Sequence, residues 1–150
     1  KELNYKEINV TRYTDWMITT PIMLLVLCLV FGYNNKTVMT ASYFLGIMIV
    51  NFVMLAFGYL GETNMLNKQL SIPIGFVFFG LSFFEIWNKF AFKTEKTRNL
   101  YYFLISIWSL YGVAAVMPVI PKNVMYNCLD IVSKNFYGLY IFYEVIKLKK

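Results

Sequence analysis

The sequence predicts an all-α fold, a transmembrane helical bundle, and three observations support this prediction. The chain has 150 residues, of which 59% are hydrophobic and 15% are charged, whereas a soluble domain usually carries about 25% charged residues. Apolar segments of about 20 residues, the length that crosses a bilayer as a helix, recur along the chain. Short polar stretches with Asn, Gly, Pro and Lys, which are common in turns, separate these segments.

Five membrane-spanning helices are predicted, within a single transmembrane domain that covers residues 1–150. The predicted spans are Arg12–Tyr33, Val38–Leu60, Leu70–Ala91, Asn99–Pro118 and Asn123–Leu148. The predicted connectors are Asn34–Thr37, Gly61–Gln69, Phe92–Arg98 and Val119–Lys122. Spans of this length require a lipid bilayer, which is therefore the first partner that we expect.

The distribution of Lys and Arg predicts how the helices cross the membrane. If the first helix starts outside, the inner side holds Lys36, Lys89, Lys93, Lys96, Arg98, Lys147, Lys149 and Lys150. The outer side then holds Lys1, Lys6, Arg12, Lys68 and Lys122. Because inner loops carry the excess of basic residues, we expect an integral multi-pass protein with the N-terminus of this segment outside and its C-terminus inside. The polar start KELNYKEINV predicts no signal peptide.

The composition argues against several classes of function. The absence of His removes Ser-His-Asp triads and His-ligated zinc, so we expect neither an enzyme nor a metal site. Cys28 and Cys128 lie in apolar runs without a nearby second Cys, which predicts two small buried hydrophobic residues. The net charge of +6 comes from short loops between the spans, so it indicates membrane topology and no nucleic-acid partner.

Four ionisable residues lie within or at the edge of predicted spans: Arg12, Asp15, Asp130 and Lys134. Each charge near the bilayer centre costs about 3 kcal/mol, so these side chains should face the bundle interior and neutralise one another. Asp130 and Lys134 are four residues apart and share a helix face, about 6 Å apart along the axis. Arg12, Asp15 and Thr19 form a second stripe. By spacing alone, a structural ion-pair cluster and a functional site both remain open.

Longer runs around these charges resemble the microbial rhodopsins. The run Arg12–Pro21, RYTDWMITTP, is similar to the signature of the third helix of that family. Leu129–Lys134 resembles the Asp-x-x-x-Lys segment of the seventh helix, and Trp108–Tyr111 resembles the Trp-x-x-Tyr of the sixth. A pocket pattern of the fourth helix is matched, by spacing, by Asn51, Met54 and Gly58. These matches follow the family order and cover almost the whole chain.

The resemblance implies a retinal-binding protein with a seven-helix fold. The chain corresponds to helices three to seven, and the first two helices of the same fold are absent from it. All-trans retinal is expected as a Schiff base on Lys134, the one lysine in the middle of a predicted span. The expected counterion and proton-acceptor group consists of Asp15, Asp130, Arg12 and Thr19. Within it Asp15 is the first proton acceptor, and the Thr19 hydroxyl could donate to its carboxylate.

The same resemblance implies the residues that surround retinal. Trp16 and Trp108 would lie on either side of the polyene, and Met54 and Gly58 would border its ring. The remaining expected pocket residues are Thr20 and Tyr111, of which Tyr111 would also donate to Asp130. Ordinary helix packing is the alternative role for each of these aromatic residues. Glu85 and Glu144, near inner helix ends, are expected at the membrane interface beside lysines.

The mode of transport depends on departures from the family pattern. Outward proton pumps usually carry a carboxylate eleven residues after the Asp15 position, where this chain has Val26. The stretch before Asp130 carries Lys122 and no Glu. A channel needs only a hydrated path, so these differences predict a light-gated cation channel. A weaker resemblance to the rhodopsins of giant algal viruses points the same way.

Three alternatives to the channel stay open. They are a light-driven outward proton pump, a photosensory receptor and a non-photochemical membrane scaffold. A channel or a pump would have the transported cations or protons as partners. Assembly into a homo-oligomer also stays open.

Overall fold

The structure, a computed structural model, describes residues 4–91 and 94–147, and in this part of the chain every regular element is a helix. Helix α1 spans Tyr5–Asn35, α2 spans Ala41–Glu62, and α3 spans Lys68–Ile86 and continues as a π-helical turn, Trp87–Ala91. Helix α4 spans Glu95–Ala115. Helix α5 consists of Val119–Asp130, the π-helical Ile131–Phe136 and Tyr137–Lys147. The predicted all-α fold is confirmed, and the described helices follow the five predicted spans.

Local capping explains where several helices begin. The side chains of Asn4, Thr40 and Asn67 accept hydrogen bonds from main-chain N–H groups in the first turns of α1, α2 and α3. These bonds satisfy donors that the helix itself leaves open. The Asn4 cap starts α1 at Tyr5, well before the predicted Arg12.

The last helix also begins earlier than predicted. The segment Val119–Lys122, expected as a connector, is the first turn of α5, with Pro118 at its N-cap. A proline in a first turn leaves no helical hydrogen bond unmade, so Pro121 does not interrupt this turn. Some predicted positions lie outside the described residues, namely Lys1, Phe92, Lys93, Leu148, Lys149 and Lys150.

The chain divides into two compact units, Lys1–Thr97 and Arg98–Lys150. In the first unit, α2 packs against both α1 and α3, and α1 also contacts the π-helical turn of α3. The helices α2 and α3 approach closely at Gly61, where an added Cβ would lie 2.1 Å from Ser71 Oγ. Only glycine permits this approach, because any larger residue would overlap the Ser71 side chain.

Some large apolar side chains are buried between helices, and others are exposed at the helix surfaces. Leu24, Leu27 and Phe31 are at most 1% exposed, while Ile18 and Leu139 are 61% and 65% exposed. Large apolar side chains at a helix surface suit contact with lipid tails. Cys28 is buried as predicted, whereas the prediction for Cys128 is wrong because it is exposed.

Three helices within the described residues are long and apolar enough to cross a membrane, judged by length and composition. They are Tyr5–Asn35, Ala41–Glu62 and Lys68–Phe90. Of the two other predicted spans, α4 begins with charged residues and α5 is divided by its π-helical segment. Repeated apolar helices of this kind are those of an integral multi-pass membrane protein.

Candidate functional site

Lys134 lies in the π-helical segment of α5, beside a carboxylate. Its Nζ is 3.6 Å from Asp130 Oδ2, and the two side chains are 25% and 24% exposed. The π-helical segment begins directly after Asp130 and includes Lys134. Wide turns of this kind are rare inside helices and are frequent at functional sites. The predicted pairing of Asp130 with Lys134 is thus present within the second unit.

A hydroxyl network holds the Asp130 carboxylate. Tyr111 Oη donates to Asp130 Oδ1 at 2.6 Å and also lies 2.8 Å from Ser133 Oγ. A short O–H···O⁻ bond is among the stronger hydrogen bonds in proteins. The predicted Tyr111–Asp130 bond is confirmed. Ser133, 2% exposed, was not predicted, although its place three residues after Asp130 would have been a usable signal.

This set of side chains has the chemistry that retinal requires. Lys134 offers a primary amine whose side chain is one quarter exposed, so an aldehyde has access to it. The Asp130 carboxylate, 3.6 Å away, offsets a positive charge at that nitrogen. Because Tyr111 donates to the carboxylate and Ser133 lies within hydrogen-bond distance of Tyr111, the charge partner stays in place while the nitrogen changes its bonds.

The first unit carries the other half of the predicted counterion group, on α1. Arg12 Cζ lies 5.9 Å from the centre of the Trp16 ring, which is within the range of a cation–π contact. Trp16 is buried, and Asp15 is exposed. The Thr19 hydroxyl donates to the main-chain carbonyl of Asp15, at 2.9 Å, and not to the carboxylate as we expected. Threonine inside a helix commonly bonds the carbonyl four residues earlier, and this local bond uses its donor.

Asn51 links α2 to α1 through Thr20. Its Nδ2 donates to Thr20 Oγ1 at 2.8 Å, and Thr20 donates in turn to the Trp16 carbonyl at 2.7 Å. Asn51 is 1% exposed, so this bond lies in the core of the first unit. Asn51, matched by spacing, and Thr20, part of the run Arg12–Pro21, are thereby in direct contact, whereas the contact of Thr20 with retinal stays a prediction.

Gly58 lies against the side chain of Tyr13. An added Cβ at Gly58 would lie 2.7 Å from Tyr13 Oη and 3.2 Å from Tyr13 Cε1. Tyr13 is 6% exposed and packs edge-on against Trp16 and Tyr59, at 5.0 and 5.5 Å between ring centres. The glycine therefore makes room for Tyr13, which the sequence had not singled out. The roles of Gly58 and Met54 beside the retinal ring stay predictions.

The predicted site residues are distributed over both units. The first unit holds Arg12, Asp15, Trp16, Thr19, Thr20, Asn51, Met54 and Gly58. The second holds Trp108, Tyr111, Asp130 and Lys134. Each unit contains its own connected group, Thr20–Asn51 in the first and Lys134–Asp130–Tyr111–Ser133 in the second.

Two further ionisable residues of α5 are buried, which the sequence did not indicate. Lys122, expected in an outer connector, is 3% exposed, and Glu144, expected at the interface, is 7% exposed. They lie on either side of Lys134 along α5. Twelve residues separate Lys122 from Lys134, or about 18 Å of helix, and ten separate Lys134 from Glu144, or about 15 Å. Buried ionisable groups inside a membrane protein are candidates for a role in ion movement.

Known proteins with similar sequence and structure extend these observations. A sequence model of the bacteriorhodopsin-like protein family matches residues 2–148. The chain is 26% identical, over 156 residues, to the green-light absorbing proteorhodopsin of gamma-proteobacterium EBAC31A08. This alignment covers 93% of this chain and 62% of that protein. It is 23% identical to sensory rhodopsin-2 of Haloarcula vallismortis, over 94% of this chain and 65% of that protein. The chain spans less than two thirds of the length of these relatives.

One solved structure is similar over a larger share of its own length. The crystal structure of the viral rhodopsin OLPVRII superposes with a TM-score of 0.89. The sequence identity is 40%, over 99% of this chain and 71% of that chain.

Proposed function

Because the chain belongs to the bacteriorhodopsin-like family of microbial rhodopsins, whose cofactor is retinal, we propose that it is the part of a light-driven proton transporter that carries retinal on Lys134. The observation on which this proposal depends is the network of Lys134, Asp130, Tyr111 and Ser133. It provides an amine for attachment and a fixed carboxylate to stabilise positive charge at the nitrogen. The direction of transport that we propose is outward.

Within this proposal, the two carboxylates have different tasks. Bound retinal supplies light absorption and an isomerisation that reorients the nitrogen of Lys134. Asp130 already accepts a hydrogen bond from Tyr111, so it acts as the stationary charge partner of Lys134. Asp15, on α1, then accepts the proton that leaves the Lys134 nitrogen. Arg12, one turn before Asp15, stabilises the negative charge of Asp15 until the proton arrives and neutralises it.

Glu144 supports a pump because it supplies the inner carboxylate that α1 lacks. The prediction of a channel depended on Val26, which has no proton to give. Glu144 is buried on α5, on the inner side of Lys134 in the predicted orientation. This burial and position make Glu144 our candidate for the group that returns a proton to the Lys134 nitrogen. The buried ammonium of Lys122, on the outer side, disfavours a cation path along this helix.

A light-gated cation channel is the second candidate, and Val26 is the observation that favours it. Val26 occupies the position of the usual inner carboxylate on α1, and the side chain is only partly buried. A channel needs no acid there because ions move down their own gradient.

Photocurrents of the full-length protein with retinal, recorded at a series of voltages, distinguish the two candidates. A pump gives an outward current that keeps its sign and persists at zero voltage. In that case Glu144→Gln should slow reprotonation at Lys134 by at least about tenfold and reduce the steady current. Glu85→Gln, which neutralises an exposed carboxylate on α3, is the control and should leave both unchanged. A current that reverses near the cation equilibrium potential would select the channel instead.

A further inference from the structure

Tyr126 is a buried aromatic residue of α5 that the proposed mechanism does not use. The residue is 2% exposed. Its ring centre lies 5.9 Å from that of Tyr111 on α4, and the two ring planes differ by 22°. Aromatic rings attract one another when their centres are about 4.5–7 Å apart, and they prefer specific mutual orientations. Both residues belong to the second unit, so Tyr126 restrains the orientation of the Tyr111 ring within one compact part of the chain.

Tyr111 contacts two residues on the same face of α5. Tyr126 and Asp130 are four residues apart in the regular part of this helix, so their side chains lie one above the other. The Tyr111 ring stacks on Tyr126, and its hydroxyl donates to Asp130 Oδ1 at 2.6 Å. The stack therefore limits how far the Tyr111 ring can turn away from the carboxylate.

Tyr126 differs in its place on α5 from the other group near the Tyr111 hydroxyl. Ser133 Oγ lies 2.8 Å from Tyr111 Oη and belongs to the π-helical segment that also carries Lys134. Its position therefore follows any change in the segment to which retinal would be attached. Tyr126 lies before that segment, in Val119–Asp130, so its contact with Tyr111 does not depend on it.

We propose that Tyr126 is a positioning residue that, by stacking on Tyr111, keeps the Tyr111 hydroxyl on Asp130 and so tunes the charge that acts on the Lys134 nitrogen. This inference rests on the proposed attachment of retinal to Lys134. A donated hydrogen bond draws part of the charge of a carboxylate toward the donor. Less of the Asp130 charge then acts on the nitrogen, which lies 3.6 Å from Asp130 Oδ2. Loss of the stack would release Tyr111 and strengthen the attraction between Asp130 and the nitrogen.

The test is the visible absorption maximum of the full-length protein with all-trans retinal, at a pH at which Asp15 and Asp130 are ionised. Excitation moves positive charge from the nitrogen along the polyene, so a stronger attraction to the anion shifts the maximum to shorter wavelength. Tyr126→Leu removes the ring and should cause this shift. Tyr126→Phe keeps the ring and should retain the original maximum.

Tyr101→Leu is the matched control. Tyr101 is another buried tyrosine of the second unit, 6% exposed, and it precedes Tyr111 on α4 by ten residues, or about 15 Å of helix. The same chemical change at this distance should leave the maximum unchanged. If Tyr126→Leu yields no coloured protein, Tyr126→Met takes its place with the same expected shift, because a flexible methionine fills the space without a ring. If neither is coloured while Tyr101→Leu is, Tyr126 supports the fold as a whole and the positioning role is wrong.

Tyr111→Phe separates failure of this inference from failure of the proposed function. The variant removes the donor itself, so the maximum should shift to shorter wavelength, and Tyr126→Leu should add nothing to that shift in the double variant. If Tyr111→Phe leaves the maximum in place, Asp130 is not the charge partner that the proposed function requires. If Tyr111→Phe shifts the maximum but Tyr126→Leu does not, or if the two shifts add, the inference is overturned. A shift in Tyr126→Phe equal to that in Tyr126→Leu would also overturn it, because the hydroxyl and not the ring would then be responsible.

Discussion

Lys134 combines two properties that a helix in a membrane rarely allows together. Its amine is accessible to a ligand, and it has a charge partner four residues earlier, at 3.6 Å. Asp130 does not move freely toward this amine, because Tyr111 holds it at 2.6 Å. The result is an anion of fixed position beside a reactive nitrogen. Preorganised charge of this kind stabilises a cation without any rearrangement of the protein.

Lys134→Ala tests the site at the scale of one residue. The substitution removes the only amine that lies beside Asp130 in the described network. We expect the full-length variant to show no visible absorbance after addition of all-trans retinal, whereas Lys122→Met, which removes the other buried lysine of α5, should remain coloured. The absorption spectrum is the measurement. If Lys134→Ala stays coloured and borohydride traps retinal on another lysine, the assignment of Lys134 is wrong.

The residues that could be predicted from the sequence are those with local signals. The spacing of Asp130 and Lys134 on one helix predicted their contact, and the motif that includes Tyr111 predicted its bond to Asp130. The burial of Glu62 and Glu144 had no such signal. The burial of such a side chain depends on which helix packs over it. Until that helix is known, an acidic residue near the end of an apolar segment is predicted to lie at the membrane interface.

At the scale of the helix, capping and close packing decide the outcome. Helix α1 begins directly after the capping side chain of Asn4 and α5 begins directly after Pro118, so span limits inferred from hydropathy alone were late at both. The contact of α2 with α3 depends on Gly61, which leaves no room for a side chain beside Ser71. Glycine content by itself does not reveal such a contact, because an added Cβ at Gly46 on α2 or at Gly80 on α3 would meet nothing within 4 Å.

Gly61→Ala tests this packing. The added methyl group would lie 2.1 Å from Ser71 Oγ and 3.0 Å from Ser71 Cβ, so the two helices must separate. We expect the folded protein to lose about 1–3 kcal/mol of stability, which is typical of overpacking. The measurement is the rate of thermal bleaching of the visible band, which should increase. The control is Gly80→Ala on α3, which meets nothing within 4 Å and should be neutral or slightly stabilising. The double variant Gly61→Ala/Ser71→Gly should recover most of the loss, and equal bleaching in all three would contradict the packing argument.

At the scale of the whole molecule, the proposed proton path draws on both compact units. The acceptor Asp15 belongs to the first unit, while Lys134 and Glu144 belong to the second. A photosensory receptor would need the retinal-binding residues but no inner proton donor. Visible absorbance after addition of retinal distinguishes a pump, a channel or a receptor from a non-photochemical scaffold. What distinguishes the pump from the rest is therefore the supply of protons from the inner side.

Val26 and Glu144 together test that supply. Eleven residues separate Val26 from Asp15, about 16 Å of helix, and return to nearly the same face of α1. Because Val26 is partly buried, a carboxyl introduced there is in a less polar place than bulk water and keeps its proton more readily. If Glu144 supplies protons, Glu144→Gln should slow reprotonation at Lys134, and Val26→Glu/Glu144→Gln should restore it with little dependence on bulk pH. The matched control, Val26→Gln/Glu144→Gln, has the same shape without a proton and should stay slow.

The measurement is the flash-induced absorbance change of the full-length protein with retinal, followed at several pH values and paired with the photocurrent at zero voltage. Proton supply is the only property that the two Val26 variants do not share, so a difference between them identifies it. If both double variants recover equally, packing at Val26 and not proton donation explains the effect. If neither recovers and the current reverses with the cation gradient, protons are not supplied by Glu144, and the protein conducts ions passively.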